Sequence, residues 1–190
     1  MDGVGFGTWA ALIPSIKQKF GLNESGLSIV LLSIVVGALI SMSLVGRALS
    51  KKGSRFMLSL LAPGYCIALA LIAIAPGFGW LLAAGVIFGA FKGSLDVSVN
   101  SQAITIENRM GKPIMGSFQA LWSFGGLIAA LLVGLALRQG MPGTTIALAL
   151  AASLLAVSLA SSGNLAGGDA SPVPARKRSF KLPNSRILRV

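Results

Sequence analysis

The chain has 190 residues, 54% of them hydrophobic and 11% charged, with a mean hydropathy of +0.82, which is the balance of an integral membrane protein. Its net charge of +11 would suit nucleic acid only if the basic residues shared a solvated face with polar and aromatic groups. They fall instead in the gaps between apolar runs, which points to the lipid bilayer as partner and to no nucleic acid. With no His and a single Cys66 inside an apolar run, the chain offers no disulfide, no Cys/His metal centre and no Ser-His or Cys-His catalytic pair. Neither an enzyme nor a cofactor is expected.

The start of the chain does not read as a signal peptide, because Asp2 follows Met1 with no basic region and no cleavage pattern precedes Pro14. The first apolar piece, 3–13, stops at Pro14, and its eleven residues make roughly 16 Å of helix, about half of a ~30 Å hydrocarbon core. A turn-rich loop is predicted over 14–25, then a first complete span over 26–45. The next gap, 46–55, is short and strongly basic. It opens into a span over 56–75, and Pro76-Gly-Phe-Gly79 is a tight turn that joins antiparallel neighbours.

Trp80 suits an interfacial anchor at the start of a span that runs to about Ala103. A loop over 107–113, a fifth run over 114–137, a turn over 138–143 and a sixth run over 144–161 follow. Beyond Ser162 the composition changes to Gly, Asp, Pro and a basic cluster. Counted by side, Arg47, Lys51, Lys52, Arg55, Arg109, Lys112 and six tail residues oppose Lys17, Lys19 and Arg138, twelve against three. The positive-inside rule then puts the tail in the cytoplasm. Small residues recur at packing distance, Gly85, Gly89 and Gly93 in one span and Gly126, Ala130 and Gly134 in the next, and read as close helix contacts.

The stretch from Trp80 to Gly126 carries the chemistry. At ~100° per residue, Asp96, Asn100, Ala103 and Glu107 lie within about 60° of one another, with Lys92 beside them. The same stripe runs back to Gly89 and Gly85, so that face meets protein or water. A charge near the bilayer centre costs at least ~2.5–3.5 kcal/mol, which makes Asp96 a functional-site candidate. Two roles are open to it. It either titrates or binds a solute in a central cavity, with Asn100, Gln102, Gln119 and Trp122 adding amide bonds and a stacking surface, or it pairs with Lys92 at i,i+4 as internal glue.

The gap Gly46-x-x-x-Ser50-Lys51-x-Gly53-x-Arg55 resembles the signature loop of the major facilitator superfamily. Trp9-Ala-Ala-x-Ile-Pro14, Asp96-Val-x-x-Asn100-x-Gln102-Ala and Lys112-Pro-Ile-Met-x-Ser-Phe-Gln-Ala-x-Trp-Ser-x-Gly-Gly126 resemble its fucose-permease-like and rhizopine-transporter-like branch. The resemblance implies an all-α polytopic bundle, the N-terminal half of a twelve-span fold whose two halves rock about a midplane site. On that expectation 1–162 is a six-helix bundle with a truncated first helix. Residues 163–190 are then a basic cytoplasmic linker toward a C-terminal half, and both ends look cut.

The resemblance also implies a secondary transporter of the inner or plasma membrane for a small polar solute such as a sugar, coupled to protons. An orphan or decayed half that acts only by pairing with another half, or with a second copy, is the alternative. Two departures stand out. Ser50 replaces the loop's usual acid. Gln119 stands where the branch has His, and an amide carries no proton, which leaves Asp96 as the proton carrier.

Overall fold

In the computed structural model, which describes residues 1–164, five helices follow one another: α1 (Asp2–Lys19), α2 (Glu24–Ala73), α3 (Phe78–Met110), α4 (Met115–Arg138) and α5 (Gly143–Asn164). Helices α2 to α5 are long and apolar enough to cross a membrane. The chain is thus an all-α, polytopic membrane bundle. The basic tail and its cytoplasmic placement lie outside the described residues.

Two boundaries depart from the sequence reading. Helix α1 does not stop at Pro14 but continues through it to Lys19. Proline removes one N–H from the ladder, yet a helix in a membrane bundle tolerates that loss where neighbours re-satisfy the freed groups. A tertiary contact anchors the extra turn: the Lys19 ammonium donates to the carbonyls of Ala73 at 3.0 Å and Ala75 at 3.3 Å. These are orphan acceptors at the end of α2.

The second departure concerns the basic gap. Helix α2 runs through almost all of it and breaks at one residue, Gly53, with φ 78° and ψ 155°. Only glycine takes up that region without steric penalty. The arms over 24–52 and 54–73 therefore lie on either side of a fixed bend. Ser54, the next residue, donates a hydroxyl bond to Gln102 Oε1 of α3, which seats the bend against its neighbour. Gly53→Ala is expected to cost about 1–3 kcal/mol, read as a lower thermal midpoint in detergent micelles. An unchanged midpoint would mean that the bend can move to another residue.

Packing follows the small residues. Helix α2 lies chiefly along α3, α1 along α4, and α5 against α2 and α1. A Cβ at Gly89 would overlap the backbone of Ile34, and one at Gly7 would overlap that of Gly126. Contact this close replaces the hydrophobic driving force that is missing between helices in lipid. Tyr65, Phe88, Leu69 and Leu81 fill the centre of the bundle, while Leu39, Leu121, Phe124 and Leu131 stand on its outside. That distribution suits a lipid solvent.

Gly134 corrects one expectation. Its virtual Cβ meets nothing within 4 Å, so the row Gly126, Ala130, Gly134 packs at its first member and not at its last. The row on α3, by contrast, meets α2 at all three of its members: Gly85 at Ser33, Gly89 at Ile34 and Gly93 at Ala38.

Candidate functional site

The polar stripe of α3 meets α1 and α4 around one ammonium. Lys92 is only 9% exposed. Its Nζ donates to both oxygens of Asp96, at 2.5 and 2.6 Å, and to Asp2 Oδ2 at 3.2 Å. Asp96 is one helical turn further along α3, so the i,i+4 spacing brings the pair together locally. Asp2 arrives from the start of α1. It is placed there by the close approach of Gly3 and Gly7 to the backbone of α4.

Aromatic faces complete the group. The Trp122 indole N–H donates to the same Asp2 Oδ2 at 2.8 Å. The Lys92 ammonium lies 5.6 Å from the ring centroids of both Phe6 and Trp122, inside cation–π range. Those two rings stack at 5.8 Å and 29°. From α2, the Tyr65 hydroxyl donates to the backbone carbonyl of Asp2 at 3.4 Å, and its ring stacks on Phe88 at 5.1 Å.

Two carboxylates around one ammonium leave a formal excess of one negative charge. The second oxygen of Asp2, Oδ1, is buried with no hydrogen-bond partner. Asp96 is the more open of the two acids, with 33% of its side chain exposed against 13% for Asp2. Asp2 and Trp122 also wall a cleft of about 290 Å³, lined further by Leu95, Val99 and Phe118. The Asp2 end of the group thus stands beside a space large enough for a small solute.

The other sequence candidates fall elsewhere. Asn100 and Gln119 are exposed and take no part in the group. Gln102 serves the bend of α2 through Ser54. Of the signature residues, Gly46 and Lys51 lie on the exposed surface of α2, Gly53 makes its break and Arg55 is half-buried. Glu107 ends the stripe at the next turn: its Oε2 accepts the N–H groups of Ile114 at 2.9 Å and Met115 at 3.0 Å. Among the described residues no group of His, Cys, Asp or Glu converges as a metal site would.

Sequence reasoning missed Asp2, Phe6 and Tyr65. Asp2 had a weak signal, an acid at the edge of an apolar run, where Asp96 lies inside one. Phe6 and Tyr65 carry none, since an aromatic in a spanning segment is indistinguishable from a lipid-facing or core residue until its neighbours are known.

The polytopic bundle thus shelters an ion-paired group between its helices, with Asp2 and Trp122 at the wall of a largely apolar cleft. The chain is 32% identical over 170 residues to an uncharacterized MFS-type transporter of Yersinia pestis, a match covering 90% of this chain and 44% of that protein. It is 35% identical over 130 residues to the uncharacterized transporter y4wD of Sinorhizobium fredii, covering 68% of this chain and 34% of that one. It is also 35% identical over 132 residues to the membrane protein MosC of Rhizobium meliloti, covering 70% and 32%. The chain is homologous to part of an MFS-type transporter and spans less than half the length of these curated relatives. No family model and no solved structure matches it.

Proposed function

We propose that this bundle forms one side of the solute path of a secondary active transporter of the major facilitator type, for a small polar solute, with proton coupling at the Asp2–Lys92–Asp96 group. The observation that carries this reading is the excess carboxylate: two acids share one buried ammonium. Such a group changes its net charge when one proton is added, and its open carboxylate can accept a solute hydrogen bond. Asp96, the more open acid, is the group that exchanges. Asp2 is tied by Trp122 and stays with Lys92.

Trp122 offers a flat apolar face with a polar edge, the combination that stacks on a sugar ring. The relatives extend well beyond this chain, so the other side of the path belongs to a second bundle, from further sequence or from a second copy. The inner or plasma membrane is the expected location, with the basic tail in the cytoplasm.

The test is uptake into proteoliposomes with an imposed proton gradient, using a panel of labelled sugars and polyols. Saturable, gradient-dependent uptake is expected, and Asp96→Asn should reduce it at least tenfold with normal protein yield. Wild-type uptake by the Asn variant would remove Asp96 from the mechanism. Uptake that ignores the gradient would remove the proton.

A further inference from the structure

We propose that Glu107 is a positioning residue, which holds Trp122 over the Lys92 ammonium by fixing how α4 leaves α3. Helix α3 ends at Gly111 in the left-handed conformation, φ 63°, and the Gly111 N–H donates to the Glu107 carbonyl at 2.9 Å. Three residues later α4 begins without a cap of its own, since its N-cap position is the aliphatic Ile114. The first N–H groups of a helix have no partner within it. Here the Glu107 carboxylate supplies one, with Oε2 accepting from Ile114 at 2.9 Å and from Met115 at 3.0 Å.

A single residue thus closes the turn twice. Its main-chain oxygen ends α3 and its side chain opens α4, and a carboxylate is the favourable charge at a helix N-terminus. Apart from this turn α4 packs chiefly on α1, and the Glu107 carboxylate is a hydrogen-bonded tie between its start and α3. Trp122 lies seven residues beyond Met115, two turns or about 10 Å along the helix. A swing at the start of α4 is carried to the indole, whose bond to Asp2 at 2.8 Å tolerates little displacement.

The inference rests on the reading of Trp122 as part of the solute site, and its test reads no transport. The protein holds three tryptophans, Trp9, Trp80 and Trp122, whose indole N–H resonances can be assigned in detergent micelles by Trp→Phe substitution. Glu107→Ala is expected to shift or broaden the Trp122 resonance and leave those of Trp9 and Trp80 in place. Glu107→Gln, whose amide oxygen can accept the same two bonds, should leave all three unmoved. If the Ala variant does not fold, Glu107→Asp, one methylene short, is read by the same criterion.

An unmoved Trp122 resonance, three indoles shifting together, or a Gln variant that shifts as far as the Ala variant overturns the inference. None of these touches the solute reading, which fails separately on Asp96→Asn uptake.

Discussion

Lys92→Met is expected to destabilise the bundle more than any other single change at the site, by about 3–5 kcal/mol. The substitution keeps the length and most of the volume of the side chain and removes the ammonium that both carboxylates share. What remains is two acids facing each other in a sheltered site, beside two aromatic rings that have lost their cation. Breaking one partner out of a buried pair is far more damaging than replacing the whole pair, because the survivor is left desolvated and unpaired. The triple variant Asp2→Asn, Lys92→Met, Asp96→Asn should therefore recover much of the loss. Thermal unfolding in detergent micelles reads both. If Lys92→Met unfolds at the wild-type midpoint, the ammonium does not neutralise the carboxylates, and the network is not what holds α1, α3 and α4 in register.

The second large effect involves no charge. Gly89→Leu is expected to cost about 3 kcal/mol, the upper part of the range for overpacking, because its Cβ would overlap the backbone of Ile34 on α2. A flexible side chain can rotate away from an intruder, whereas a helix backbone moves only as a unit. The whole α2–α3 interface must then separate, and in lipid that interface is held chiefly by close packing. Gly134→Leu is the control. It lies in a row of the same four-residue spacing with open space around it, and the change should stay within about 0.5 kcal/mol. Equal losses at the two positions would mean that helix propensity, and not contact between backbones, sets the outcome.

These two substitutions also mark how far the sequence could be read. Its composition placed the chain in a membrane, since a chain 54% hydrophobic and 11% charged has no other solvent in which its helices could expose Leu39, Leu121 and Leu131. Periodicity located the stripe of α3, and the i,i+4 spacing of Lys92 and Asp96 left their pairing as one of two open roles, because neighbours one turn apart can meet whatever surrounds them. Asn100 and Gln119 looked equally eligible, yet both stand exposed and outside the group. A polar residue on a helix marks only a face, and what that face meets depends on another helix.

What the sequence determined by itself is therefore local and solvent-driven: the spanning segments, the apolar outside, the stripe and the spacing that lets Lys92 meet Asp96. Each follows from spacing along one helix or from the chemistry of a single residue, and needs no knowledge of neighbours. Tertiary structure decided the rest. It carried α1 past Pro14 by tying Lys19 to the end of α2, and it brought Asp2, 90 residues from Lys92 in sequence, into the same ion group. It gave Glu107 to the start of α4, and it made Gly89 indispensable while leaving Gly134 idle. All four depend on which helices approach closely. That choice is made by backbone contact between small residues, and small residues look alike in sequence whether or not a partner lies against them.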